Sequence, residues 1–374
     1  MPDADSMTDE QLLDVLRLVL VPGVGPRIRA SLLERFGTPE AVLAAPMSQL
    51  REVQGVGPKI AERVAAARDQ GFAEEQIALC AAEGLTILTE GHSGYPRPLR
   101  EIHDPPGALF MRGRLEPQDA LAVAIVGTRH ASHYGLQQAE RLAGSLARAG
   151  FTITSGLARG IDAAAHRGAL EAGGRTVAVL GSGVLSIYPP EHAQLAVAVS
   201  AAGAVLSESA PRAEPLPGNF PQRNRIISGM SLGVIVVEAG LQSGALITAR
   251  LAMEQGREVF AVPGRVDSRT SRGCHQLLRD GAKLVETADD VLEELGPLVE
   301  PIAREEGPSV HHPAELLLNE VEQTLLAAFN DEPASIDQLV AESGLTIPQV
   351  LASLSVLEMR HLVRRLSGTT AVRI

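Results

Sequence analysis

The chain has 374 residues, of which 45% are hydrophobic, and a formal net charge of −12. This length predicts two or three domains with a sizeable core, and no apolar run reaches the roughly 18 residues that a membrane-spanning helix needs. The acidic, polar start lacks a secretory signal pattern, and the two distant cysteines Cys80 and Cys274 suggest neither a disulfide framework nor a zinc site. Together these features predict a cytoplasmic protein with no membrane association, metal or cofactor.

The negative charge is distributed unevenly along the chain. Residues 1–89 carry a net charge of −5, residues 90–298 of −1 and residues 299–374 of −6. Within the middle region, residues 215–283 carry nine basic and five acidic side chains, a net charge of +4. A local positive stretch can bind nucleic acid in an acidic chain, but it can equally be a solvated face, and the count leaves both open.

Residues 1–88 are predicted to form a helical domain with an internal repeat. Pro22–Ile28 and Gln54–Ile60 share a Gly-hydrophobic-Gly-Pro-basic-Ile pattern that precedes a helix. This pattern is typical of the helix-hairpin-helix, whose tight glycine turn and helix start can hold a phosphate. A contact with the DNA backbone would use Gly23, Gly25, Arg27, Gly55, Gly57 and Lys59. The alternative, open in so acidic a domain, is a helical pair used for packing or for protein contacts.

Residues 89–298 are predicted to form a core in which strands and helices alternate. A Pro- and Gly-rich lead-in at 90–115 precedes seven short apolar segments with strand character. The predicted strands are Leu121–Val126, Thr152–Thr154, Thr176–Leu180, Ala204–Ser207, Leu232–Val237, Glu258–Ala261 and Lys283–Val285. This alternation predicts an extended Rossmann-like α/β fold, a doubly wound and mainly parallel sheet with helices on both faces.

A charged linker is predicted at residues 299–313, followed by a small domain at residues 314–374. Three helices and a short hairpin in this order predict a winged helix. The elements are Glu315–Phe329, Ser335–Ser343, Ile347–Met359, and the strands Leu362–Leu366 and Thr370–Ile374 around Ser367–Thr369. Winged helices often bind DNA, but the net charge of −6 over residues 299–374 favours a protein contact here.

Glycine turns follow three of the predicted core strands. They are Gly127-Thr128-Arg129, Ser155-Gly156 and Gly181-Ser182-Gly183. A strand, a small turn and a helix N-terminus together form an anion site, so the three turns could line a groove for a sugar-phosphate backbone. Each turn alone is weak evidence, because glycines also close ordinary strand–helix connections and no complete dinucleotide fingerprint or P-loop is present.

A stronger signal is the segment Asn219–Gly229, which contains Phe220, Arg223, Asn224 and Arg225. Aromatic rings stack on unpaired bases, and arginines bind phosphates. Aromatic residues make up only 3% of the chain, so one that stands next to two arginines is informative. The alternative is that Phe220 belongs to the core and that one arginine forms a structural ion pair.

Taken together, these motifs closely resemble those of the DNA-processing protein A (DprA) family over roughly residues 95–285. The matching segments are Ala124–Arg129, Ser155-Gly156, Gly160–His166, Tyr188-Pro189, Phe220–Gly229, Glu238-Ala239, Ser243–Ala249 and Ala261–Gly264. The resemblance implies a core that binds single-stranded DNA, forms a homodimer and loads the RecA recombinase during natural transformation. One departure is Pro190, where many relatives have a lysine after Tyr-Pro, so another residue would have to supply that charge.

The motifs and the resemblance together predict which residues contact DNA. These are Gly127, Thr128, Arg129, Ser155, Gly156, Phe220, Arg223, Asn224, Arg225, Ser243 and Gly244. By resemblance, Arg129 lies in a basic pocket with the backbone of Gly127 and Thr128. Phe220 would stack a base, and Ser243 and Gly244 would border the groove.

The segment Cys274–Leu284 predicts a short helix, a glycine turn and a final strand at the sheet edge. An edge strand offers unpaired backbone groups to a partner. The resemblance places a dimer interface at His275, Leu278 and Leu284, with Gln276 and Arg279 facing RecA. The alternative is that the C-terminal linker covers Leu277 and Leu278.

A competing function is a nucleotide hydrolase that resembles the phosphoribohydrolases. Those enzymes carry a Pro-Gly-Gly-x-Gly-Thr turn before a catalytic glutamate, and the stretch Glu238–Thr248 lacks this pattern. Asp162 and His166, four residues apart on one helix, could act as acid and base, but a helix cap and a packing residue are favoured. Because no nucleophile or metal set is visible, the sequence predicts a non-enzymatic protein. A third possibility is a structural adaptor that contacts proteins through both end domains.

Overall fold

A computed structural model describes five stretches of the chain. They are residues 8–295, 320–329, 334–359, 362–367 and 370–373. The predicted linker at 299–313, the first residues of the helix predicted from Glu315, and the hairpin turn at Gly368 and Thr369 lie outside the described residues.

The N-terminal region is helical, and its sequence repeat forms a reciprocal contact. Gly25 and Gly57 cap helices that both begin at proline, while Gly23 and Gly55 have φ values of +98° and +87°, which glycine adopts readily. A Cβ atom on either Gly23 or Gly55 would lie 3.4 Å from an isoleucine Cγ1 on the other repeat's helix. The helices are α1 (Asp9–Val19), α2 (Pro26–Phe36), α3 (Pro39–Ala44), α4 (Met47–Leu50), α5 (Pro58–Ala66) and α6 (Phe72–Glu83).

The core is built on a nine-stranded sheet with the order β1-β2-β6-β5-β4-β3-β7-β8-β9. Its strands are β1 (Thr86–Thr89), β2 (Ala108–Gly113), β3 (Ala122–Val126), β4 (Thr152–Ser155), β5 (Thr176–Leu180), β6 (Ala204–Ser207), β7 (Gly233–Val236), β8 (Glu258–Ala261) and β9 (Lys283–Leu284). The seven strands β6-β5-β4-β3-β7-β8-β9 all run parallel to one another. The predicted Rossmann-like, mainly parallel sheet is therefore confirmed.

Two strands were not predicted from the sequence. β1 pairs antiparallel with β2, and β2 pairs antiparallel with β6. The residues expected to form an extended lead-in at 90–115 therefore include a sheet strand, and the expected boundary after residue 88 falls within β1. The sequence did not predict β2 because prolines and glycines surround its apolar residues. Its two partner strands are also not adjacent to it in the sequence.

Helices cover both faces of the sheet, and the described core helices are α7 (Arg97–Arg100), α8 (His133–Arg148), α9 (Ile161–Glu171), α10 (Ala193–Ala202), α11 (Asn219–Gly229), α12 (Gly244–Glu254), α13 (Arg272–Arg279) and α14 (Ala288–Leu295). On one face, α8, α9 and α14 pack around Ile125 and Ile153. On the other face, α11, α12 and α13 pack around Val126 and Val179. Burial on both faces explains why the central strands β3 and β7 contain no polar side chain.

The strand order reverses at β3. The chain runs from β3 through β4 and β5 to β6 on one side, and then returns to β7 on the other side. In open α/β sheets, ligands bind in the crevice beyond the carboxyl ends of the two strands at such a switch point. The loops after β3 and β7 should therefore border the functional site.

The C-terminal domain contains α15 (Glu320–Ala327), β10 (Ala334–Ser335), α16 (Ile336–Ser343), α17 (Ile347–Met359), β11 (Val363–Ser367) and β12 (Thr370–Arg373). Its strands form an antiparallel sheet with the order β10-β12-β11, and the domain has a hydrophobic core of its own. This arrangement confirms the predicted winged helix. No single helix among the described residues is long and apolar enough to cross a membrane. Helices α16 and α17 together reach that length and composition, but they are bent by 106° relative to one another.

Candidate functional site

A cavity of about 770 Å³ opens at the carboxyl ends of β3 and β7, at the switch point. Eight of the predicted DNA contacts line it: Gly127, Thr128, Arg129, Phe220, Arg223, Asn224, Ser243 and Gly244. Gly156 lines a small recess that adjoins the cavity. The fold therefore brings together turns that are more than 100 residues apart in sequence.

The turn after β3 is held by a buried carboxylate, Glu238. The Glu238 side chain accepts hydrogen bonds from the Ser132 amide at 2.8 Å and the Ser132 hydroxyl at 2.6 Å, and its backbone oxygen accepts one from Thr128 at 2.7 Å. A Cβ atom on Gly135 would lie 2.5 Å from Glu238 Oε2, so glycine is required there. These contacts fix the loop from which Arg129 projects, and they occupy both carboxylate oxygens.

Phe220 forms one wall of the cavity and is half-buried rather than part of the core. Its ring rests against Gly181, where an added Cβ atom would come within 2.9 Å of the ring. The Arg129 guanidinium carbon lies 5.4 Å from the ring centroid, and the Tyr188 ring lies 5.7 Å away at 51°. Arg129 is exposed and forms neither a hydrogen bond nor an ion pair within the described ranges. An aromatic face and an unpaired cation thus adjoin one another.

Arg223 lies beneath the cavity floor and is only 6% exposed. Its Nη1 atom donates to the carbonyl oxygens of Gly156, at 2.7 Å, and Val179. Burial lowers the Arg223 pKa to about 10, although the nearby Asp162 carboxylate favours the charged form. Its Nε atom is buried and has no hydrogen-bond partner. Arg223 therefore joins the turn after β4 to strand β5, and it also lines the cavity.

The structure does not bring two of the predicted DNA contacts to the cavity. Arg225 is 4% exposed, donates to both carboxylate oxygens of Glu208 at 2.7 and 2.8 Å and pairs with Asp104 at 3.1 Å. The buried Ser155 hydroxyl donates to the Ile125 carbonyl at 2.6 Å. Both side chains hold parts of the core together, and Arg225 is the structural ion-pair arginine that the sequence left as an alternative.

Asp162 lies in the first turn of α9, but it does not cap that helix. The N-cap residue is Gly160, and Asp162 Oδ2 instead accepts a hydrogen bond from the Gly156 amide at 3.1 Å. Burial raises the Asp162 pKa, against the opposing charge of Arg223. The predicted helix cap is thus corrected to a residue that holds the turn after β4, because the carboxylate reaches back across the turn.

His166 is a fully buried packing residue, as the sequence favoured. Its Nδ1 atom lies 2.7 Å from the Thr176 hydroxyl, which donates its single proton to the Ile153 carbonyl at 2.6 Å. Nδ1 must therefore carry the proton, and Nε2 is left without a partner. Burial lowers the His166 pKa to about 3. No group of three or more potential metal ligands occurs within the described ranges.

Sequence reasoning missed several residues that border the site. His130, Gln242, Arg269 and Thr270 line the cavity, and Arg159 lines the adjoining recess. A search for every basic residue in a strand–helix turn at the carboxyl edge would have found Arg159, which closely follows β4.

The predicted backbone contacts in the N-terminal repeat lie away from this cavity. All six residues, Gly23, Gly25, Arg27, Gly55, Gly57 and Lys59, are exposed. Arg27 and Lys59 are the second residues of α2 and α5, so each lies at a helix N-terminus. The interlocked turns thus place both basic side chains at the surface.

The predicted dimer segment lies at a sheet edge, because β9 is the last strand in the order. Leu284 is 49% exposed, Leu278 is half-buried against the core and Leu277 is buried. His275 Nε2 lies 3.0 Å from the Gly264 carbonyl. The residues predicted to face RecA, Gln276 and Arg279, are both exposed.

Three family models match the chain. The model for DNA recombination-mediator protein A matches residues 86–296, the DprA winged helix domain matches residues 310–369, and a SAM-like helix-hairpin-helix tandem matches residues 15–68. The helix-hairpin-helix model thus covers the N-terminal helical region, the recombination-mediator model covers the core, and the winged-helix model covers the C-terminal domain.

Individual proteins show the same similarity. The Protein Smf of Synechocystis is 36% identical over 93% of this chain and 95% of its own length. The crystal structure of DNA processing protein A from Streptococcus pneumoniae has a TM-score of 0.66 and 35% identity, and covers 77% of this chain and 99% of its own. DNA processing protein A from Helicobacter pylori, described with a single-stranded-DNA binding mode, has a TM-score of 0.52 and 30% identity over 58% of this chain and 97% of its own. The chain therefore belongs to the DNA recombination-mediator protein A (DprA) family.

Proposed function

We propose that the protein binds single-stranded DNA in the switch-point cavity, protects it, and helps to load RecA onto it during natural transformation and recombination, without catalytic turnover. The observation that carries this proposal is the half-buried Phe220 ring beside the unpaired Arg129 guanidinium, 5.4 Å from its centroid. The binding mode described for the Helicobacter pylori relative supports the same ligand.

The cavity suits an unpaired strand better than a duplex. A base can stack on Phe220 only when it is not enclosed in a double helix. Phosphates can approach Arg129, the glycine turn after β3 and the N-terminus of α12 at Gly244, where amide groups favour anions. The floor formed by Arg223 adds a further positive charge. Stacking and phosphate contacts thus act on the same strand.

The direct test compares a fluorescent oligothymidine with a duplex of equal length, using the full-length protein and fluorescence anisotropy. We expect tighter binding of the single strand, with an affinity that falls as salt rises because phosphate contacts release counterions. Equal affinity for the two forms at physiological salt would contradict the proposal.

The cavity offers little for hydrolysis. Of the carboxylates closest to it, Asp162 holds the turn after β4, and both oxygens of Glu238 bind Ser132. A nucleotide-turnover assay on the pure protein checks this part of the proposal. Turnover that disappears in an Asp162 or His166 variant would instead support the phosphoribohydrolase-like alternative.

We further propose that the working species is a homodimer formed through α13 and β9. Leu284 is exposed on an edge strand, and two linked DNA sites would gain avidity without new contacts. Leu278→Arg should give a folded monomer that binds DNA more weakly and loads RecA poorly. Light scattering that shows a wild-type monomer at micromolar concentration would refute the dimer.

The two end domains have separate roles in this proposal. The exposed Arg27 and Lys59 suit a DNA-backbone contact. By contrast, α17 contains no lysine or arginine, which favours a protein contact for the winged helix. Arg27→Ala with Lys59→Ala should weaken binding of duplex DNA if the N-terminal repeat holds phosphates, as an electrophoretic mobility shift would show.

A further inference from the structure

A recess beside the main cavity is surrounded by three arginines. Arg129, Arg159 and Arg223 line it together with the rings of Tyr188 and Phe220. Its free volume is about 10 Å³, which holds roughly one water molecule.

Arg159 is held in place by a carboxylate outside the recess. Its Nε atom lies 2.5 Å from Glu191 Oε1, and the two side chains are 45% and 49% exposed. This hydrogen bond raises the Arg159 pKa and lowers the Glu191 pKa. Because an ion pair so open to water contributes little to folding, it can be broken on ligand binding at small cost.

No carboxylate of the described residues lies inside the recess, and the nearest, Asp162, lies beside Arg223 with its pKa raised by burial. Glu191 reaches the recess only through Arg159. Arg223 is 6% exposed, and its buried Nε atom has no hydrogen-bond partner. Clustered guanidinium groups with an unpartnered, buried donor are a site that an anion would stabilise.

We propose that Arg159 is a second phosphate contact of the single-stranded-DNA site, and that Glu191 occupies Arg159 until a DNA phosphate displaces it. The inference rests on the proposed function. A nucleotide stacked on Phe220 would lie at the mouth of the recess, within reach of Arg159. Since a guanidinium binds two phosphate oxygens at once, a phosphate competes well against a single carboxylate oxygen. Glu191 thus lowers the affinity of the free site.

The test measures binding of a fluorescent oligothymidine to the full-length protein over a series of salt concentrations. Glu191→Gln should bind the strand about twofold to fivefold more tightly, the range expected for releasing an exposed ion pair. Arg159→Ala should bind it more weakly, with a salt slope shallower by about 0.7, the value for one lost phosphate contact on a single strand. Thermal unfolding should show both variants folded.

The double variant Arg159→Ala with Glu191→Gln separates competition from a general charge effect. If Glu191 acts by occupying Arg159, adding Glu191→Gln to Arg159→Ala should change the affinity little. If Glu191→Gln tightens binding equally with and without Arg159, Glu191 only repels DNA at a distance and the proposal is wrong.

The exposed pair Arg212–Glu83, 3.2 Å apart, provides a matched control because it lines neither the cavity nor the recess. Arg212→Ala and Glu83→Gln make the same charge changes and should leave affinity within twofold of wild type. Wild-type protein that binds no single strand would refute the proposed function itself. Wild-type binding with Arg159 and Glu191 variants that match the controls would refute this inference alone.

Discussion

Two arginines at opposite ends of the parallel strands, Arg175 and Arg129, have opposite surroundings. At the amino end, Arg175 donates to Asp119 at 2.8 Å and lies 3.3 Å from Glu116, and Asp119 is almost fully buried. At the carboxyl end, Arg129 has no carboxylate partner in the described part of the chain and rests on an aromatic ring. The buried carboxylate of Asp119 thus makes Arg175 structural, whereas Arg129 stays available to a ligand.

The direction of the chain explains this difference. In a parallel α/β sheet, helices begin at the carboxyl end of the strands, where α8, α9 and α12 start, and their N-termini favour anions. Helices end at the amino end, where cations are favoured. A phosphate is therefore attracted to the carboxyl end, where Arg129 has no carboxylate partner among the described residues and the Arg159–Glu191 pair is open to water.

The largest expected effect is a loss of stability in acid that arises at the amino end. Below a pH of about 6.5 the imidazole of the unfolded chain takes up a proton, whereas folded His166, whose pKa is lowered to about 3, stays neutral. The unfolded state then binds more protons, so stability falls as the pH falls from 6.5 towards 3, by up to about 5 kcal/mol. Urea unfolding between pH 7 and pH 4 should show a weaker pH dependence in His166→Gln.

His133→Gln is the control for this titration, because His133 is exposed on α8. That variant should keep the wild-type pH dependence. An unchanged dependence in His166→Gln would mean that His166 is not the group responsible.

The second effect is structural and should leave DNA binding intact. Arg175→Ala removes the cation paired with buried Asp119, and breaking such a pair costs about 3 kcal/mol of unfolding free energy. Urea unfolding measures that loss, while anisotropy should give wild-type DNA affinity, since Arg175 lies at the far end of the strands. Arg114→Ala, at an exposed arginine of the same network, should be close to wild type in both assays. Weaker DNA binding by Arg175→Ala with normal stability would contradict the division between the two ends.

The third effect belongs to the carboxyl end. Phe220→Ala should lose about 1–3 kcal/mol of single-strand binding, the value of base stacking, with little change in the salt slope. Phe72→Ala, at an aromatic residue 44% exposed on α6, serves as the control and should bind normally. A lower melting temperature of Phe220→Ala with DNA affinity retained would show instead that Phe220 acts as a core residue.

The smallest effect is expected for Arg129→Ala, at about 1 kcal/mol of binding near physiological salt, with a salt slope shallower by about 0.7. Loss of the guanidinium would remove the proposed phosphate contact, but it would also uncover the Phe220 ring beside Arg129, so part of the loss would be offset. Titrations at several salt concentrations measure both quantities. Arg167→Ala, at an exposed arginine on α9 outside the cavity, is the control and should keep the wild-type salt slope. A wild-type slope in Arg129→Ala as well would exclude a phosphate contact for Arg129.

Local patterns were sufficient for much of the fold. All seven predicted core strands are present, and β5 has the predicted bounds Thr176–Leu180, because short apolar segments between alanine-rich helices are a local signal. The sequence repeat also predicted the two glycine turns at Gly23 and Gly55. β1 and β2 were missed because their pairing joins Thr86–Thr89 to residues about 20 positions later, across a Pro- and Gly-rich segment.

The same limit applies to the site. The sequence alone predicted that the glycine turns would meet at the carboxyl edge, because parallel strands bring their following turns to one side, and the family resemblance added Phe220 to the groove. Only the tertiary structure decided what each arginine does. Arg223 and Arg225 are two residues apart on α11, yet Arg223 faces the cavity while Arg225 pairs with Glu208 and Asp104. Whether a charge is free depends on contacts between residues far apart in the chain, and no local pattern records those contacts.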